Sequence, residues 1–198
     1  MGDNLVAWQI RQNSGRRLFV LCSRGKNREG ETVDGVIYFS DDNAETWQKL
    51  SLPEKVNGPH DLLIDPTDPD RMYVSCWPTT IDGKDSFGGV IKTADGGITW
   101  KQVFDERQRV NSAGVDQKDP NKIYINTFQN GAYRSDDHGE TWTRIEGYRF
   151  KWGQKTIPDP NNPGMLYLTT YGGSVFYGPA VGVPDAFEDI ENMPDSWW

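Results

Sequence analysis

Ser40-Asp41-Asp42-Asn43-Ala44-Glu45-Thr46-Trp47 recurs as Thr93-Ala94-Asp95-Gly96-Gly97-Ile98-Thr99-Trp100 and again as Ser135-Asp136-Asp137-His138-Gly139-Glu140-Thr141-Trp142. The shared pattern, Ser/Thr-x-Asp-x-Gly/Ala-x-Thr-Trp, makes this a repeat protein. Each copy follows a period-two apolar run (Val36–Phe39, Val90–Lys92, Ala132–Arg134) and leads into another strand-like run (Trp47–Leu50, Trp100–Phe104, Trp142–Ile145). It therefore reads as a hairpin turn. In such a turn the Asp carboxylate accepts bonds from loop N–H groups, the Gly takes a positive φ, and the Trp buries apolar surface between sheets. Asp42, Asp95 and Asp137, with Gly97, Gly139, Trp47, Trp100 and Trp142, are structural on this reading. Hairpins repeated once per unit hold their acids apart, and the alternating acid ladder of a calcium loop is missing.

A second phrase precedes the first: Arg17–Cys22, Arg71–Cys76, Lys122–Thr127 and Met165–Thr170. Three of these four follow an Asp/Pro/Asn turn (Asp65–Asp70, Asp116–Asn121, Asp159–Gly164), and a further short strand such as Asp61–Ile64 lies before it. From each box Asp to the next unit's aromatic the spacing is nearly constant (Asp42 to Tyr73, Asp95 to Tyr124, Asp137 to Tyr167), so length varies mainly between the second and third strands. Each unit is a four-stranded antiparallel meander of propeller-blade size.

The fold expected is all-β: a β-propeller with three complete blades (about 5–52, 60–104, 110–146) and a three-stranded fourth (153–178), then an acidic tail over 179–198. The fourth unit reaches Gly178-Pro179-Ala180 where a box would begin. A blade one strand short leaves an open edge, so missing N-terminal blades or a second copy are the expected partners for closing the ring.

With 198 residues, 35% hydrophobic and 12% aromatic, the chain can hold a packed core. A net charge of −8 argues against nucleic acid and anionic membrane as partners. No apolar run is long enough for a membrane span and no signal peptide follows Met1. Cys22 and Cys76 share a register position with Thr127 and Thr170 and read as buried small residues on separate sheets, beyond disulfide reach. His60 and His138 are isolated, with His138 expected to face solvent, and neither metal nor cofactor is expected.

Strand alternation places the box turns and Asp-Pro turns at one end of the blades. The variable loops lie at the other, where a binding surface on a rigid scaffold belongs. These loops are 23–34 (Arg24, Lys26, Arg28, Glu29), 77–88, 57–61, 107–111, 128–130, 149–155 and Tyr171-Gly172. Trp77, Trp152, His60, Arg109, Asn111, Gln129, Lys155 and Tyr171 are the candidate ligand-binding residues. Aromatic faces beside amide, Arg and carboxylate groups suit sugar rings, although Trp77 and Trp152 could equally close the core at strand ends. Asp61, Asp82 and Asp85 are the candidate catalytic acids, none singled out by spacing. His60 and Asp61 also read as a strand-start pair bonding locally.

The boxes and Asp-Pro turns, over about residues 5–178, resemble the Asp-box (BNR-repeat) propellers of the sialidase/xyloglucanase-like and sortilin-like superfamily. The phrase Tyr171–Pro179 is similar to the final blades of exported bacterial glycosidase-like proteins. The resemblance implies the C-terminal part of a larger ring, exported to the periplasm or cell exterior, that binds a polysaccharide or oligosaccharide and contributes at most one acid to glycoside hydrolysis. The sialidase catalytic set is not matched here. The alternative is a non-catalytic protein-interaction or assembly propeller, as in sortilin-type receptors or the photosystem assembly factor.

Overall fold

A computed structural model describes residues 6–27, 29–148 and 151–183. Arg28, Arg149, Phe150, Leu5 and the tail from Pro184 onward lie outside the described residues. The described residues form strands and no helix, in two compact units, Met1–Arg109 and Val110–Trp198.

In the first unit, β1 (Ala7–Gln12) and β2 (Leu18–Cys22) are followed by a small hairpin of β3 (Gly25–Lys26) and β4 (Thr32–Val33), then by β5 (Val36–Ser40) and β6 (Gln48–Lys49). The sheet order is β1-β2-β5-β6, all antiparallel. The next blade repeats the plan with β7 (Pro59–Ile64), β8 (Met72–Cys76), an inserted hairpin β9 (Thr79–Ile81) and β10 (Lys84–Ser86), β11 (Gly89–Thr93) and β12 (Lys101–Phe104). The extra length between second and third strands is thus a hairpin in both blades rather than an irregular loop. Alternate side chains of the two sheets meet in one core: Phe19, Leu21, Ile37 and Leu50 against Leu62, Met72, Val74, Cys76 and Ile91. Cys22 and Cys76 are free and buried.

In the second unit, β13 (Val110–Val115), β14 (Ile123–Thr127), β15 (Ala132–Ser135) and β16 (Thr143–Arg144) form a third blade, and β17 (Gly153–Pro158), β18 (Met165–Thr170) and β19 (Val175–Pro179) a three-stranded fourth. Tyr124, Ala132 and Ile145 pack on Leu166, Leu168 and Ala180. Among the described residues the chain is a β-propeller of four-stranded antiparallel blades, the last with three strands.

Box chemistry follows the sequence reading closely. Ser40 Oγ donates to Asp42 at 2.7 Å, and Asp42 accepts the Thr46 amide at 2.8 Å and the Thr46 hydroxyl. Thr93/Asp95/Thr99 and Ser135/Asp137/Thr141 repeat this set. Two consecutive residues take positive φ in every box: Asn43-Ala44, Gly96-Gly97 and His138-Gly139. Ala44, at φ 72°, is strained where the other copies have glycine. Ala44→Gly is expected to raise stability by about 0.5–1 kcal/mol, read by urea unfolding. The box tryptophans are half-buried rather than buried. Trp100 reaches across to Ser51 O at 2.8 Å, whereas Trp142 bonds its own Gly139 O at 3.1 Å. His138 is half-buried rather than fully solvent-facing, and its backbone amide donates to Asn121 O at 2.8 Å.

The bonds into the carboxylates set an acid limit. Asp42 is held down to about 2 by the Thr46 hydroxyl, the Thr46 amide and the Ser40 hydroxyl, and Asp95 to about 2 by the Thr99 hydroxyl and amide. Asp137 is held well below the usual range, first by the Ser135 hydroxyl. A folded pKa below the unfolded value of about 4 adds stability that is fully present above pH 4 and lost as the pH falls through 2. Melting temperatures recorded from pH 7 to 2 are expected to fall most steeply between about 4 and 2. A flat profile there would mean the boxes add nothing to stability.

The fourth unit lacks its box for a local reason. By register with β18, Gly178 occupies the place of Thr93 and Ser135, and Ala180 that of Asp95 and Asp137. Neither can offer the hydroxyl or carboxylate. Tyr148 covers the position instead, donating from its hydroxyl to Pro179 O at 2.9 Å, and burial pushes that phenol up to about 12. Ala180 is buried, and Val183 N donates to Glu146 O at 2.9 Å, so residues 180–183 pack on the blade before them.

Candidate functional site

The first strand of every blade carries a register shift at the same place: between Ala7 and Gln9, Pro59 and Asp61, Val110 and Ser112, and Gly153 and Lys155. One extra residue is left out of each ladder, namely Trp8, His60, Asn111 and Gln154. Such bulges re-aim a side chain beside a site. The residue directly after each second strand, Ser23, Trp77, Phe128 or Tyr171, is the other recurring position, aromatic in three blades of four.

In the first unit these positions make a stack. Trp8 lies 5.4 Å from His60 at a 52° tilt, His60 lies flat on Trp77 at 4.4 Å, and the Arg109 guanidinium sits 3.6 Å from the Trp77 ring centre. His60 is buried, Trp77 and Arg109 are half-buried, and Trp8 is 48% exposed. Gly58 lets this close: a Cβ there would stand 2.5 Å from Trp77 O. Arg24 braces the neighbourhood, donating to Asn57 Oδ1 at 3.0 Å, Thr79 Oγ1 at 2.6 Å and Pro78 O at 2.9 Å, which ties the base of one inserted hairpin to the other.

The second unit holds a separate aromatic group. Phe128 faces Trp152 at 6.1 Å and Tyr171 at 6.5 Å. Trp152, at φ 59°, is pinned by its own backbone, donating to Phe128 O and accepting from Tyr171 N at 2.9 Å. Of the residues expected on the loop face, the structure brings Trp77, His60 and Arg109 into one stack, and sets Trp152 and Tyr171 each beside Phe128, which the sequence places in a loop of that face without naming it a ligand-binding residue. Trp8 is not among the residues expected there. Asn111 is fully buried and its amide is spent on Gly153 O. Lys155 holds its strand through its backbone, its amide donating to Thr169 Oγ1 at 3.0 Å. Gln129 is exposed.

The acids divide by environment. Asp61 is 1% exposed and paired with Arg11 at 3.2 Å. It follows the bulge, as do Gln9 and Ser112, whose side chains accept the amides of Leu62 and Thr156 on the next blade. That position is built to accept bonds within the scaffold. Asp82 and Asp85 are exposed on the β9–β10 hairpin, where Asp85 accepts the Thr80 hydroxyl at 2.7 Å. No group of three His, Cys, Asp or Glu that could hold a metal occurs among the described residues.

The family model described as Sortilin, neurotensin receptor 3 (Sortilin-Vps10) matches residues 6–132, more than half of the chain. The chain belongs to the Sortilin-Vps10 family. Within this Sortilin-Vps10 chain, 129 residues are 29% identical to Xyloglucanase Xgh74A of Acetivibrio thermocellus, covering 58% of this chain and 15% of that protein. Another 28% identity over 160 residues links it to a Xyloglucanase of Paenibacillus sp, covering 70% and 15%. Among solved structures, the GH74 enzyme of Niastella koreensis superposes with a TM-score of 0.65 at 18% identity, over 86% of this chain and 28% of that one. That likeness shows the fold. The Sortilin-Vps10 chain thus spans about a seventh of the length of these xyloglucanases and is similar to a glycoside-hydrolase-like propeller module.

Proposed function

We propose that this chain is the glycan-binding part of an exported polysaccharide-active propeller, and that xyloglucan is the polymer it holds. The likeness to xyloglucanases supports the substrate class. The observation that carries the reading is the pair of aromatic groups: Trp8, His60 and Trp77 at bulge and post-strand positions with Arg109 against them in one unit, and Phe128 and Tyr171 at post-strand positions with Trp152 beside them in the other. A pyranose offers C–H groups to an aromatic face and hydroxyls to amide and guanidinium groups at its rim.

Binding rather than hydrolysis is assigned. Glycoside hydrolysis needs two carboxyl groups placed across the scissile bond. Asp61 is committed to Arg11 and the scaffold, and Asp82 and Asp85 stand on an exposed hairpin. No helix among the described residues is long and apolar enough to cross a membrane.

Electrophoresis through gels containing soluble xyloglucan tests the reading: retarded migration relative to a non-binding protein is expected, and unaltered migration would sink it. In the same gels Trp152→Gly is expected to weaken binding on the order of tenfold. It removes the ring but suits the positive φ, so its melting temperature should stay within a few degrees of the parent. A protein-interaction reading has its own support in the row Ile157, Tyr167 and Tyr177, paired across β17, β18 and β19 and 48%, 37% and 47% exposed.

A further inference from the structure

We propose that Asn111 acts on the glycan at one remove, as the positioning residue that aims the Trp152 ring. This rests on the glycan-binding reading and adds to it the means by which the second unit's aromatic group is aligned.

Asn111 is fully buried and so touches no ligand itself. As the bulge residue of the third blade it lies outside the ladder, and its side chain crosses to the fourth, donating from Nδ2 to Gly153 O. Gly153 directly follows Trp152 and opens β17, next to that strand's own skip at Gln154. Trp152 sits at φ 59°, a conformation that an L-residue leaves unless it is held. Two bonds hold Trp152 itself: its N–H donates to Phe128 O, and its carbonyl accepts from Tyr171 N at 2.9 Å. The Asn111 bond holds the residue that follows.

That third bond answers a weakness found only in the fourth blade. Pro59 and Val110 open the first strands of the second and third blades, where a ring and a β-branch restrict the backbone. Gly153 has neither restraint, and it has no room for a Cβ, because Asn126 Oδ1 and Thr127 O fill the space. A glycine beside a strained residue lets that residue turn. A buried amide fixed to the glycine's carbonyl stops it. The place before the strand is also where a group is set against the preceding blade's ring: Arg109, directly before β13, lies on Trp77, and Trp152, directly before β17, faces Phe128 at 22°.

The experiment labels the full chain with 5-fluorotryptophan and reads fluorine NMR together with calorimetric titration of soluble xyloglucan. Its variants are Trp152→Gly, Asn111→Ala, Asn111→Ser and the double variant Trp152→Gly/Asn111→Ser. The serine keeps a polar group at the buried place, which guards against a misfolded alanine variant, and near-ultraviolet circular dichroism checks both. The Trp152 resonance, identified by its loss in Trp152→Gly, is expected to shift in the Asn111 variants while those of Trp77 and Trp100 stay. Affinity in the Asn111 variants is expected to fall about threefold or more, and the double variant to bind no more weakly than Trp152→Gly alone. A merely structural asparagine would lower the melting temperature and leave both the Trp152 resonance and the affinity of the folded protein unchanged. An unmoved resonance, parent-like affinity, or losses that add in full in the double variant overturn this assignment and leave the glycan reading in place. No binding by the parent overturns both.

Discussion

Gly153→Ala is expected to lower stability by about 3 kcal/mol or more and to remove cooperative unfolding of the second unit at moderate urea. A Cβ at Gly153 would stand 1.7 Å from Asn126 Oδ1 and 2.5 Å from Thr127 O. The first atom belongs to a fully buried amide whose nitrogen already donates to Lys155 O and Thr169 O, both at 3.2 Å, so it cannot swing away without breaking both bonds. The second is backbone at the end of β14, in the other blade of the unit. Gly153 O also takes the Asn111 amide, so a shift of this residue would disturb the bulge of the preceding blade. Urea unfolding followed by circular dichroism checks it. A loss below about 1 kcal/mol would mean the blades separate more easily than their contacts indicate.

The second large effect separates two residues that the repeat makes equivalent. Trp100→Ala is expected to cost about 2–3 kcal/mol and Trp142→Ala about half that or less. Trp100 packs against the shared core of the first unit and bonds Ser51 O on the neighbouring blade, so its loss loosens two sheets at once. Trp142 directs its indole N–H to Gly139 within its own turn. Equal losses in the two variants would show that the cross-blade bond adds nothing.

How far such distinctions can be read from sequence depends on whether the determining chemistry is local. Box turns are local: Ser40, Asp42 and Thr46 satisfy one another within seven residues, so hydroxyl, carboxylate and hydroxyl at fixed spacing specify the turn and the blade register with it. The absence of the fourth box is equally legible in Gly178 and Ala180. The bulges are not, because a single inserted residue breaks a period-two pattern too short to show the break. Trp8 reads as an ordinary first-strand residue until the pairing of Ala7 with Cys22 and Gln9 with Leu21 exposes the skip. The small hairpins β3–β4 and β9–β10 are polar and brief, with no apolar alternation to announce them. Phe128 leaves a usable signal. The column Cys22, Cys76, Thr127, Thr170, followed one residue onward, yields Ser23, Trp77, Phe128 and Tyr171.

Asp61 marks the point where burial overrides a chemical reading. A carboxylate beside a histidine invites an acid–base role, yet Gln9 and Ser112 at the same blade position show what the place demands: an oxygen that can receive a bond from the adjoining sheet. Arg11 then balances the charge.

The recurring bulge carries a consequence for side-chain choice. A residue outside the ladder contributes no rung to it, so indole, imidazole and amide side chains occupy that place in four successive blades while the strand pairing around them is preserved. The ladder itself therefore sets no condition on the side chain at that place; each answers only to its own neighbours, His60 to Trp77 and Asn111 to Gly153, as a letter in a fixed line of type answers to the word around it.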